Sequence, residues 1–331
     1  MRRLAFGAVL IMLLTSLCTA TTIYDLIEQN RRTSVYDITA IPPEARAKIH
    51  VVYVDSVAAN AVDSQDGVHG ESWEVPFDTI DEAVSACAAA TTTHSANLIL
   101  VAPNHIEDLG SAETIDIDVA NTTVWGLGSG SNRPRIDFNH ATAGFDIGAD
   151  NVKIVGLRFN PSVATVAKGV HVEADSDGVS IVDCEFMVGE TLNTDEFVEA
   201  IDANDVNDLL IEGCKFYTGL TADGCTTGIM LSTAAKRVTI RDCVAYGNWS
   251  TAFIDDDAAV GPLLIERCRM KVKDGEPVIE LASATVGLVI ECYGESTGIA
   301  NATTMFDGDD CTFFECYGAV ADGAAALIAG G

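Results

Sequence analysis

Acidic side chains and one histidine recur at alternate positions of short apolar strings: TIDIDV, GFDIG, GVHVE, AIDAN, FIDDD, VIEL and MFDG. If the apolar letters face a core, then Asp116, Asp118, Asp146, His171, Glu173, Asp202, Asp255, Glu280 and Asp307 face outward, with Asp256 and Asp257 beside Asp255. On adjacent parallel strands such groups stand about 5 Å apart. Two chemistries use that spacing. Ca2+ takes six to eight oxygen ligands, and Asp116, Asp118, Asp146, Glu173 and Asp202 are the residues expected to supply them. Glycoside cleavage with retention needs an acid and a nucleophile about 5–5.5 Å apart, for which Asp146, His171, Asp202, Asp255 and Asp256 are the candidates. The plainer account of the row is solubility, since a chain this acidic places carboxylates on every wetted face.

A repeat holds the row in line. LLIEGCKF (209–216) returns as LLIERCRM (263–270), with VSIVDCEF, VTIRDCVA, GLVIECYG and CTFFECYG as further copies and VKIVGLRF as an earlier one. Cys184, Cys214, Cys243, Cys268, Cys292 and Cys316 lie 30, 29, 25, 24 and 24 residues apart, so one supersecondary unit recurs with loops of varying length. Apolar residues alternate within each copy, as in Leu209 and Ile211 or Val238 and Ile240, yet the cysteine falls at an odd offset. A straight strand would throw it outward. The chain must therefore bend just before it, at Gly156, Asp183, Gly213 or Asp242, types that tolerate left-handed backbone angles. A third short strand follows, as in Cys184 to Phe186, and the acidic strings form the first. Three strands per unit, each with one inward stripe, predict a three-faced solenoid of parallel sheets that buries its core only by stacking. Equivalent cysteines then form a column with parallel side-chain vectors, a poor geometry for bridges whose Cβ atoms must lie about 3.8 Å apart. They are expected to be buried free thiols. Whether Cys87 and Cys225, outside the column, pair with each other is open.

The chain has 331 residues and a formal charge of −30, with 19 Lys and Arg against 49 Asp and Glu. That balance excludes a phosphate-backbone partner, which requires clustered cations, and disfavours anionic membranes. It suits a salty or calcium-containing medium. Residues 1–20, MRRLAFGAVLIMLLTSLCTA, have the layout of a secretory signal peptide cleaved after Ala20, with an uncleaved membrane anchor as the alternative, and no other run is long enough to span a bilayer. The expected division is a signal peptide (1–20), an N-terminal arm (21–50), a lead-in strand, loop and capping helix (51–112) and the coil (113–331). The helix is placed from about Phe77 to Ala89, with Ile80, Ala83, Val84 and Cys87 on its apolar face. The alanine-rich tail has no polar cap, so it either invites association with another copy or another protein or is sealed by local side chains. Sequons begin at Asn121, Asn248 and Asn301, and Tyr246 and Trp249 beside the loop GNWSTAF are candidates for stacking on a sugar. The histidines have no zinc-like spacing.

These strings, with YVD, PFDTIDEAV, VAP and GLGSGSNRP near the start, resemble the right-handed parallel β-helix of the pectate-lyase-like superfamily, and secreted and bacteriophage-associated β-helix proteins within it. The resemblance covers about residues 51–331 and implies an all-β, three-sheet solenoid of about eight to nine rungs with an N-terminal capping helix. It implies that any chemistry lies along the first-strand face. Polysaccharide lyases of this type need a basic residue to remove a proton beside a uronate. The groove offers His171, whereas Arg158, Lys215 and Arg269 fall on the third strand and Arg241 beside a corner. The polygalacturonase pattern of paired aspartates with Gly-His-Gly and Arg-Ile-Lys is absent, so the family's catalytic residues do not carry over. The expectation is a noncatalytic extracellular or virion-surface module with a structural, glycan-binding or partner-binding role. The alternative is a secreted, Ca2+-dependent polysaccharide lyase or glycoside hydrolase.

Overall fold

The computed structural model describes residues 48–90, 94–111, 114–187, 195–219, 225–273, 276–296, 305–320 and 325–328. The proposed signal peptide and nearly all of the N-terminal arm lie outside them, as does Asn301. No helix among the described residues is long and apolar enough to cross a membrane.

The described residues wind into a parallel β-helix of three sheets with ten, eight and ten strands. The acidic strings form the eight-stranded sheet, the Ile-x-Ile segments one ten-stranded sheet, and the segments after the cysteine the other. They are called here the acidic, the isoleucine and the cysteine sheet. One strand of each follows in turn, so the eight strands of the acidic sheet count eight complete rungs, within the range expected. The isoleucine sheet begins earlier, with Ile49–Val54 pairing in parallel with Ala96–Val101, so the lead-in strand is itself part of the coil.

The one-residue corner before each cysteine has the left-handed backbone required of it. φ is +70° at Gly156, +50° at Asp183, +65° at Gly213 and +55° at Asp242, and the same corner recurs at Arg267 (+52°), Glu291 (+54°) and Glu315 (+52°). For a non-glycine residue that conformation costs roughly 1–2 kcal/mol. The ladders on either side hold it, for example Asp242 N–H to Glu266 O at 3.1 Å and Glu291 N–H to Phe314 O at 3.0 Å. Beyond each corner the sulfur turns inward, and Cys184, Cys214, Cys243, Cys268, Cys292 and Cys316 are all fully buried and unbridged. Their thiols lie against main-chain carbonyls, Cys214 Sγ at 3.5 Å from Ile181 O. Cys87, Cys225 and Cys311 are also free and buried, which answers the open question of pairing.

Inside the cysteine sheet Phe159, Phe186 and Phe216 stack face to face, with centroids 4.9 and 4.8 Å apart, the spacing of the strands that carry them. On the next rung the register residue is Ala245. The volume it leaves is met from the acidic sheet by Phe253, which contacts Phe216 at 5.0 Å and Trp249 at 5.2 Å. Trp249 is therefore a core residue, 1% exposed, and the expectation that it stacks on a sugar fails. Asn248 beside it is 4% exposed, too enclosed to receive a glycan in the folded chain.

A helix, Ile80–Ala90, covers the start of the coil and buries Ile80, Ala83, Val84 and Cys87, the face expected. It begins three residues later than the apolar pattern suggested, because residues 78 and 79 act as its cap: both N–H groups donate to Asp63 Oδ1, at 2.9 and 3.0 Å. Ile80 N–H donates to Glu107 Oε2, whose carboxylate also meets the buried ring of His105 at 3.1 Å. At the other end Ala325–Ile328 folds back antiparallel on Cys316–Val320 and covers the edge of the cysteine sheet.

Candidate functional site: the outer face of the acidic sheet

Strand pairing sets Asp116, Asp146, His171, Asp202, Met230, Asp255, Glu280 and Asp307 side by side in one outward register. Alternation alone placed seven of these eight correctly. Met230 divides the row into two clusters.

In the lower cluster the ligand atoms of Asp146, His171 and Glu173 lie within 4.8 Å of one another. His171 sits between two carboxylates, Nδ1 3.7 Å from Asp146 Oδ1 and Nε2 3.5 Å from Asp202 Oδ2. Gly148 leaves the room: a Cβ there would stand 2.9 Å from Glu173 Oε2. Burial raises the carboxyl of Asp116 above its ordinary range, and Asp118, Glu173, Asp146 and Asp81 add to the rise. Of the five residues expected to ligate Ca2+, Asp146 and Glu173 are thus brought together, with His171 as the third of the group, while Asp116 and Asp118 add negative charge beside them. Asp81, from the capping helix, joins them. The set is dominated by carboxylate oxygens, which fits a hard cation of the Ca2+ class, with His171 as a less suitable neighbour.

Asp202, the fifth, is already engaged. It is 3% exposed, accepts a hydrogen bond from Ser232 Oγ at 2.7 Å, and lies 2.5 Å from Lys168 Nζ. Lys168 corrects the expectation that His171 is the groove's one base. It escaped period-two counting because the strand Val166–Val172 breaks its alternation at Lys168 and Gly169 before resuming with Val170 and His171. Glu199 sits opposite Lys168 across the same irregularity, its carboxyl raised mainly by burial and then by Asp202. Adjacent residues that interrupt an alternating string were the signal for both.

In the upper cluster Asp255 pairs in register with Glu280, and Glu280 with Asp307. Burial, and then the charges of Glu280 and Asp256, push the Asp255 carboxyl up to about 6. Burial and Asp307 raise Glu280. Asp256 is not part of this face. It shares the inward register of Leu231, accepts the N–H of Ala282 at 2.6 Å and the hydroxyl of Thr285 at 2.5 Å, and buttresses the next rung. As a catalytic candidate it is displaced by its direction.

Neither a protein-family model nor a curated protein matches this sequence. A solved structure described as a rhamnogalacturonan lyase is similar in shape, with a TM-score of 0.44 and 10% identity over 74% of this chain and 74% of that one.

Proposed function

We propose that the protein is a noncatalytic β-helix module, exported or carried on a virion surface, that holds a divalent cation of the Ca2+ class on the outer face of its acidic sheet and binds glycan. The observation that carries this reading is the state of the two bases on that face. Lys168 is ion-paired with Asp202, and His171 lies between Asp146 and Asp202. A lysine whose side chain is tied to a carboxylate is not directed at an incoming ring, so it is poorly placed to remove a proton from a uronate. The grouping of Asp146 and Glu173 with His171, beside the further charges of Asp116 and Asp118, gives the same face a reason to bind a cation.

The test is incubation of the purified chain with acidic and neutral polysaccharides, with and without Ca2+. The expected result is saturable Ca2+ uptake, retention of glycan and no product. Growth of the ultraviolet absorbance of unsaturated uronates, lost on chelation, overturns the reading in favour of a lyase.

Asp255 favours a second reading. A carboxyl still protonated near pH 6, one strand (about 4.8 Å) from Glu280, has the makings of the acid and nucleophile of a retaining glycoside hydrolase. Release of reducing ends at pH 5–6, abolished by Asp255→Asn, would establish it.

A further inference from the structure

We infer that the upper outer face of the cysteine sheet, from Lys215 to Tyr317, binds an acidic glycan in which carboxylate-bearing rings are spaced among neutral ones. This deepens the binding-module reading and rests on it. On five successive rungs the outward pairs are Lys215 and Tyr217, Val244 and Tyr246, Arg269 and Lys271, Tyr293 and Glu295, and Tyr317 and Ala319. Four of the chain's seven tyrosines stand in this field. It holds Lys215, Arg269 and Lys271 against Glu295, with Glu185 bordering it at Lys215, on a chain of formal charge −30.

The lower part of the same face is chemically closed. Arg135 pairs with Asp137 at 2.8 Å, and Arg158 and Lys215 both pair with Glu185, at 2.8 and 3.1 Å. Above Lys215 the network opens. Arg269 is exposed and has no ion-pair partner among the described residues. Lys271 meets Glu295 at 2.5 Å while its ammonium lies 5.9 Å from the centre of the Tyr246 ring. Val244, Tyr246 and Tyr317 are 39%, 41% and 48% exposed.

A tyrosine presents a flat apolar body with a hydroxyl at its tip, the combination that covers a sugar ring and still bonds its hydroxyls. Tyr217 and Tyr246 neighbour each other at one corner of the field, Tyr293 and Tyr317 at the opposite one, with Arg269 and Lys271 on the rung between. An extended chain laid across the rungs would meet rings, then cations, then rings. Arg269, the cation of the field without a carboxylate partner among the described residues, matches sparse carboxylates. Nucleic acid carries a charge on every unit, and three cations in a strongly negative field do not hold it.

The experiment is affinity electrophoresis in gels containing hyaluronan, alginate or polygalacturonate, beside gels containing dextran or single-stranded DNA. Retardation by at least one uronate polymer is expected, weakening with salt because the contacts are exposed. Arg269→Glu and Tyr246→Ala should each weaken it about tenfold, whereas Arg237→Glu, on a corner, should not, all three keeping the parent circular dichroism. Failure of all three uronate polymers to retard the protein, indifference to both strip variants, or equal retardation by DNA overturns the proposal. Ca2+ uptake and ultraviolet absorbance followed in the same samples keep the two readings apart: turnover or the absence of any glycan retention defeats the binding module, while retention that neither strip variant weakens defeats this strip alone.

Discussion

The acidic and cysteine sheets share rungs and strand spacing, and their outer faces are chemical opposites. One aligns Asp116, Asp146, Asp202, Asp255, Glu280 and Asp307 with one histidine; the other aligns tyrosines with Lys215, Arg269 and Lys271. Inward letters on both are interchangeable apolar residues chosen by volume, as the exchange of Phe216 for Ala245 plus Phe253 shows. In a coil of this kind the interior specifies the rung, and each outer face is free to acquire a separate chemistry.

The strongest way to break the contrast is to remove the interior both faces depend on. Phe186→Ala, in the middle of the aromatic stack, should destabilise the fold by about 3–5 kcal/mol, read from urea unfolding, and abolish the properties of both faces together. A loss confined to one face would show that the two are supported separately. The acidic face should respond to Ca2+ alone: at a hundred times its Kd the ion adds about 2.7 kcal/mol, seen as a rise in Tm. Asp146→Asn combined with Asp116→Asn should remove that rise and leave the tyrosine strip unchanged.

Asp255 sharpens the contrast by pH. Its folded-state value of about 6 lies above the ordinary aspartate value, so the folded state binds the proton more tightly. Its contribution is present below the unfolded value near 4 and is lost as pH rises through 6. Asp255→Asn should therefore stabilise the protein at pH 7 by on the order of 1–2 kcal/mol and have little effect at pH 4, in paired denaturation curves. The smallest effect is expected from Cys243→Ser. Carbonyls at 3.3 and 3.9 Å from the sulfur remain available to a hydroxyl, so the cost falls near the low end of the range for a buried polar group, about 1 kcal/mol by urea midpoint.

Much of this was legible in the sequence because a solenoid repeats its environment. Equivalent cysteines disclosed the corner, and the odd offset between isoleucine and cysteine disclosed its left-handed backbone. Arg267, Glu291 and Glu315 occupy the same corner without any preference for it; at Arg267 and Glu291 ladder hydrogen bonds override the local cost, and residue type gives no warning. The outward register of the acids followed from period two. Where the strand is irregular the rule failed: Lys168 and Glu199 sit at breaks in alternation, and three consecutive aspartates at 255–257 gave no sign that the middle one turns inward. Trp249 belonged to the core because Ala245, in the same string, stands over Phe216 of the preceding rung and leaves volume there, a register that the string alone does not display.

The nine cysteines among the described residues are all unbridged, which carries a consequence for how the coil comes to be folded. No oxidant has to act before the rungs close, so the same coil should form in a reducing cytoplasm and in an oxidising medium. Burial also pushes the Cys87 thiol up to about 12, leaving almost no nucleophilic thiolate at neutral pH. A sulfur that reacts has therefore first been uncovered, and the order in which Cys87, Cys243 and Cys316 are alkylated would chart, rung by rung, where the spiral begins to unwind.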